Sequence, residues 1–168
     1  MAVLPIITAP HPILEDTARE VRPDEFGEAL AQHLSDMAET MYAAPGVGLA
    51  GVQIGDLRRI IVCDPSENDD ESGKRKRTGL LLLVNPEIVE TADDPITWEE
   101  GCLSVPGVSA EVERAERIVV EYLDEHGQAQ TLRADGLLSV CVQHELDHLD
   151  GQLYIDRLAE LERKATLI

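Results

Sequence analysis

Five residues near the end of the chain, His144-Glu145-Leu146-Asp147-His148, narrow the choice of folds more than any other stretch. On an α-helix, side chains four apart share a face, so the two imidazoles can reach one metal ion. Leu137, Val140 and Cys141 fall on the same face one and two turns earlier, so the histidines belong to an apolar stripe. The pattern predicts a buried helix from about Gly136 to Asp150, with Gly151 placed to cap its end. Glu145 is turned ~100° from His144 by helix geometry, where its carboxylate can face a water on an open metal position. The competing reading, two surface histidines with a glutamate between them, conflicts with their place on the apolar face.

A buried helix needs a sheet to cover it, and the rest of the chain supplies short strands. Arg59–Cys63, Leu80–Val84 and Ile118–Leu123 are aliphatic or β-branched and bounded by turn residues. Glu125-His126-Gly127 reads as a turn between two more strands. The stretch from Asp64 to Gly79 is rich in Asp, Glu, Ser and Lys and reads as a hairpin insertion. A second helix is predicted over Asp24–Ala43, where Phe26, Leu30, Leu34, Met37 and Met41 recur at steps of three and four. Pro23 opens it and Pro45-Gly46 closes it. The expected fold class is α+β, with antiparallel β-sheets packed around a central helix that carries the two histidines. With no repeat and no dividing linker, residues 1–168 are expected to form a single catalytic domain. Aromatic residues make up only 3%, so Leu, Ile, Val and Ala must build the core.

Charge removes several classes of partner. A formal charge of −19 argues against general binding to nucleic-acid phosphates, which needs surplus Lys and Arg. The one basic run, Lys74-Arg75-Lys76-Arg77, follows an acidic run from Asp69 to Glu71 and reads as a self-neutralising loop. The first residues lack the basic and apolar regions of a signal peptide, and no segment approaches the ~20 apolar residues of a membrane span. Three cysteines, an odd number, do not make a disulfide framework. A cytoplasmic protein is expected, with no membrane association, and a monomer.

Two imidazoles leave a catalytic metal site short of its usual third protein ligand. In the metzincin pattern that ligand is a histidine six residues after the second, a position held here by Tyr154. In gluzincin-type peptidases it is a downstream glutamate, for which Glu160 and Glu162 stand in a charged tail. Upstream, Glu99-Glu100-Gly101-Cys102-Leu103-Ser104-Val105-Pro106 offers a cysteine in an extended loop whose thiolate could serve. Taken alone, Cys102 reads first as a small buried hydrophobe.

Three segments together resemble the peptide deformylase family of bacterial type. They are Gly46-Val47-Gly48-Leu49-Ala50-Gly51-Val52-Gln53-Ile54-Gly55, the Glu100-Gly101-Cys102-Leu103-Ser104 block, and Gln143-His144-Glu145-Leu146-Asp147-His148-Leu149. Their order and spacing match, and the likeness extends from His11-Pro12-Ile13-Leu14 to Ile155-Asp156. The resemblance implies that Cys102, His144 and His148 bind one divalent metal ion and that Glu145 is the general base and acid. It also implies that the Gln53 amide and the backbone N–H of Leu103 stabilise the oxyanion. The implied reaction removes the N-terminal formyl group from formyl-methionyl nascent polypeptides and releases formate. Ferrous iron is the implied working metal, although a Cys-His-His set suits zinc by softness and geometry; zinc, nickel or cobalt could substitute.

For the substrate, Val47, Gly48 and Gly101 offer backbone to which an extended peptide could add as a strand. Trp98, Leu137, Val140 and Cys141 are candidates for the methionine side-chain pocket, with core packing as the alternative for Leu137 and Val140. Glu100 and Arg114 are candidates for an ion pair bracing the cysteine loop. Cys63 is expected in the core, and His11, His33 and His126 at ordinary polar positions. The chain departs from the family where Gly51 replaces an alanine and Val52 a Pro or Thr, so altered loop packing is expected there. It also has Ser109 where some relatives place an arginine near the substrate. A contact with the ribosome exit region is a further possible partnership. Two other functions share these motifs: a metallopeptidase built on the same helix, and a non-catalytic relative that binds formyl-peptides or ribosomes.

Overall fold

In the computed structural model, which describes residues 3–69, 74–77 and 79–153, the strand Ile60–Cys63 is buried along its whole length. Its unbroken apolar run follows from what lies on each face. Ile61 and Cys63 pack with Val142, Leu146 and Leu149, whereas Ile60 and Val62 pack with Leu30, Leu34, Met37 and Met41. Side chains alternate between faces along a strand, so one covered on both sides loses its polar positions. The two covers are helix α1, Glu28–Ala43, and helix α2, Gly136–Leu149.

The strands are β1 Gly48–Ala50, β2 Ile60–Cys63, β3 Ser66–Asp69, β4 Lys74–Arg77, β5 Leu81–Thr91, β6 Pro95–Cys102, β7 Val105–Ala115, β8 Arg117–Leu123 and β9 Ala129–Asp135. Five of them form an antiparallel sheet in the order β1-β2-β5-β8-β9, and β6-β7 form a separate antiparallel ribbon. The α+β arrangement of antiparallel sheets around a histidine-bearing helix is present. β1 is the outermost strand of its sheet, so among the described residues one of its edges has no sheet partner.

Several elements differ from expectation. Helix α1 starts at Glu28, not Asp24, because Gly27 takes φ +155° and Phe26 is extended. Pro23–Glu25 forms only a 3-10 turn. β5 continues past Val84 to Thr91 through an irregular pairing with β8; Asn85 there has φ +51°. Its side chain accepts from Val21 N at 2.8 Å and donates to Val21 O at 3.0 Å, tying the N-terminal segment to the sheet. Cys102 does not lie in a loop but ends strand β6, which the sequence reading missed together with β7. The charged insertion does form a hairpin, β3-β4, whose backbone register sets Glu67 opposite Lys76 and Asp69 opposite Lys74. Residues 70–73 of that insertion, and the tail with Tyr154, Glu160 and Glu162, lie outside the described residues.

The end of α2 is locked by backbone contacts. Ala18 N donates to Leu149 O at 2.8 Å, and Arg59 reaches both Leu149 O and Asp150. Gly151 has φ +76°, and a Cβ there would fall 2.4 Å from Glu15 O. Only glycine fits, which accounts for the residue read as the helix cap.

Candidate metal centre

Helix α2 sets His144 and His148 side by side, with ring centroids 5.1 Å apart. The end of β6 brings Cys102 to them: one ligand atom from each residue lies within 4.8 Å of the others, and Cys102 Sγ is 3.2 Å from His148 Nε2. A tetrahedral ion with ordinary metal–sulfur and metal–nitrogen bonds would hold such atoms about 3.6 Å apart. A register shift between Gly101 and Cys102 makes the approach possible, because it turns the last residue of β6 out of the regular ladder. All three side chains are buried or partly buried.

Charged groups behind the cluster hold it in place. Glu100 is buried and takes a two-pronged contact from Arg114, Nε to Oε2 at 2.5 Å and a terminal nitrogen to Oε1 at 2.8 Å. The ion pair expected from sequence is therefore present, and Arg114 also reaches Asp147 at 2.9 Å. Glu100 Oε1 lies 2.8 Å from His144 Nδ1, which favours the tautomer whose Nε2 is free to ligate. Burial pushes the Glu100 carboxyl up, but His144 and Arg114 outweigh it and hold the group below its usual range. Burial likewise pulls His144 down, yet contacts with Cys102 and Glu100, together with the charge of Glu145, lift it to about 10. Burial and the neighbouring His144 drive His148 down to about 3. One imidazole is thus kept neutral and the other sits where positive charge is favoured. A thiol and two imidazoles in such surroundings fit a divalent cation in both donor type and electrostatics.

Glu145 stands against this cluster, with Oε1 3.9 Å from His144 Nε2. Burial raises its carboxyl to about 7, against the pull of His144 and Arg114. Its Oε2 is buried without a hydrogen-bond partner among the described residues. An orphaned buried oxygen costs ~1–3 kcal/mol, which suits a group whose partner is a reacting molecule. Gln53 is also buried: its Oε1 accepts from Ala50 N at 2.9 Å, and its Nε2 donates to Ser104 Oγ at 3.0 Å. That fixes the amide 3.7 Å from Cys102 Sγ.

These groups line a cavity of about 600 Å³. Val47, Gly48, Gln53, Trp98, Gly101, Cys102, Leu103, Leu137, Val140, Cys141, His144 and Glu145 all face it, whereas His148 is fully buried behind. Val47 and Trp98 are exposed at the rim; Val140 and Cys141 are buried in the wall. A Cβ on Gly48 would come within 2.9 Å of Cys141 Sγ and 3.0 Å of Glu145 Oε1, so the absence of a side chain lets backbone pass close to the centre. Cys141 is a free thiol in the cavity wall whose Sγ donates to Val47 O at 3.5 Å, and a side-chain hydrogen bond with Cys63 together with burial pushes that thiol up. At Gly51 an added Cβ would meet Ile60 Cγ1 at 2.7 Å and Asp56 O at 2.9 Å, so an alanine there would require the neighbouring backbone to shift. Sequence reasoning assigned no role to Ser104 or Asp147. Both lay within the motifs, but hydroxyl and carboxylate partners from distant segments leave no periodic signal.

Comparison with known proteins agrees with this geometry. The polypeptide deformylase family profile matches residues 3–164. A peptide deformylase of Xylella fastidiosa strain M12 is 48% identical over 164 residues, covering 97% of this chain and 91% of that protein. The Met-Ala-Ser-bound crystal structure of class I type b peptide deformylase from Acinetobacter baumannii superposes with TM-score 0.85 and 35% identity, over 93% of this chain and 98% of that one. The actinonin complex of peptide deformylase from Ehrlichia chaffeensis gives TM-score 0.87 and 37% identity, over 98% and 93%. With a profile match along nearly its full length and close relatives of matching fold, the chain belongs to the polypeptide deformylase family.

Proposed function

We infer that this enzyme, a metal-dependent hydrolase of the deformylase family, cleaves the formyl amide of formyl-methionyl nascent chains with Cys102, His144 and His148 as the ligand set. The observation that carries the assignment is the meeting of one sulfur and two imidazoles beside a buried, unpartnered Glu145 carboxylate oxygen. When bound, a divalent ion supplies Lewis acidity that activates water and polarises a carbonyl. Glu145 takes a proton from the water that attacks the formyl carbon. The Gln53 Nε2–H and the Leu103 backbone N–H stabilise the oxygen as it gains negative charge. Glu145 then delivers the proton to the departing nitrogen, the carbon–nitrogen bond breaks, and formate and a free methionyl amine result. The peptide adds along Val47-Gly48 and Gly101, its methionine side chain meeting Trp98, Leu137, Val140 and Cys141. The free edge of β1 supports this mode of binding.

Ferrous iron is the proposed working metal, with Zn2+, Ni2+ or Co2+ able to occupy the site; equal or better turnover with zinc than with iron, both loaded anaerobically, contradicts that choice. We place the protein in the cytoplasm as a monomeric single domain over 1–168, with the ribosome exit region as a possible docking partner. No described helix is long and apolar enough to cross a membrane; sedimentation above the monomer mass would overturn the oligomeric assignment. One assay separates the three functions read from the motifs. Formate release from formyl-Met-Ala-Ser, without cleavage of an unformylated peptide, is the expected result. Internal cleavage favours a metallopeptidase, and silence with metal bound favours a non-catalytic binder.

A further inference from the structure

The planar amide of Gln53 carries two hydrogens, so a fixed acceptor for one decides where the other points. Gln53 sits in the 3-10 turn Gly51–Ile54, and its Oε1 is bonded to Ala50 N next to that turn. The acceptor on the nitrogen side comes from a distant segment. It is Ser104 Oγ, at 3.0 Å, in the turn between β6 and β7. Ser104 is fully buried, so bulk water does not compete for this contact. Its main chain is held as well. Ala9 N donates to Ser104 O at 2.7 Å, and Ile7 N donates to Gln53 O at 2.7 Å. The N-terminal segment thus clips both partners, and Leu4 N anchors that segment on Thr40 Oγ1 of α1 at 2.8 Å. The distance from Ser104 Oγ to Gln53 Nε2 is set by three segments of chain rather than by one turn.

We propose that Ser104 is a positioning residue for the oxyanion donor: its hydroxyl takes one Gln53 Nε2 hydrogen and so turns the other into the cavity beside Cys102. The inference rests on the deformylase reading, in which Gln53 stabilises the developing charge. Gln53 Nε2 lies 3.7 Å from Cys102 Sγ, so the hydrogen that Ser104 leaves free is on the side of the metal ligands. Leu103, whose backbone N–H is the other donor, directly precedes Ser104, so one turn places both. Donors aimed beforehand need no reorientation when the charge forms. Without the Ser104 acceptor, one buried N–H loses its partner and the amide turns away to find another. A contact that matters only as charge develops changes kcat and leaves substrate binding alone.

The test measures kcat and KM for formyl-Met-Ala-Ser, with metal content, in wild type, Ser104→Ala, Ser104→Thr and Ser104→Val. Threonine and valine share a shape and differ in the hydroxyl, so that pair separates the hydrogen bond from packing. The expected kcat is about tenfold lower in Ser104→Ala than in wild type, and about tenfold lower in Ser104→Val than in Ser104→Thr, the size of one hydrogen bond. KM and metal content should stay level within each pair. In a Gln53→Ala background, Ser104→Ala should cost nothing further, because the amide it acts on is gone. Should Ser104→Ala not fold, the Thr and Val variants decide alone. Equal kcat within the pairs overturns the proposal, as does a loss that persists without the Gln53 amide. Loss of fold or metal in all three variants overturns it too, in favour of a structural role. No formate from wild type overturns the deformylase reading, and this inference with it.

Discussion

At the scale of single residues, Glu145 is the group with the least freedom. Its Oε1 borders the space closed by Gly48, and its Oε2 lacks a partner among the described residues. Replacing it by glutamine keeps the size and removes the proton-carrying function. Glu145→Gln is expected to retain metal and lose about 10²–10⁴-fold in rate, as for a positioned acid and base. Metal analysis alongside formate release checks this, and near-normal turnover removes Glu145 from its role. The residues legible in sequence were those whose chemistry is rare at their spacing: two imidazoles four apart on an apolar face, and a cysteine between glycine and leucine. Ser104 was not legible, because a serine that matters by meeting Gln53 from 51 positions away looks like any other serine.

At the scale of elements, helices and both-sided strands were readable where their periodicity was intact, as in α2 and β2. The ribbon β6-β7 was not. Its outward positions carry Glu99, Glu111 and Glu113, so its alternation resembles a charged loop. Helix α1 was drawn too long because Phe26 continues its apolar spacing although Gly27 breaks the backbone. The segment before α1 is held instead by charge. Glu25 bonds Arg19 at 2.7 Å and Arg58 at 3.3 Å, and Asp56 bonds Arg58 and His33 at 2.7 and 2.9 Å. The Arg19 contact and the Arg22 backbone N–H lower Glu25 from 4.5 to about 2. A carboxyl with a depressed folded pKa stabilises the fold fully above its unfolded value and loses that contribution as pH falls towards the folded one. Thermal stability should therefore drop between about pH 4.5 and 2, and Glu25→Gln should flatten part of that drop. An identical pH profile in wild type and variant would count against this cluster.

At the scale of the whole molecule, one helix is enclosed by sheet and ribbon, and its His144 and Glu145 open onto one cavity. α2 is buried through Val142, Leu146 and Leu149 on the sheet, while the end of β6 supplies the sulfur. The fold and the centre are thus one arrangement: the strand that ends in Cys102 also carries Glu100, which orients His144 and binds Arg114 of the neighbouring strand. Because a ligand that binds only the folded state stabilises it, loss of the ion should weaken both activity and fold. The most direct measurement is an anaerobic titration of the metal-stripped chain with Fe(II), following formate release from formyl-Met-Ala-Ser. The account predicts no release without metal and a linear rise that breaks at one ion per chain. Full activity in the stripped protein, or none at saturation, would contradict it.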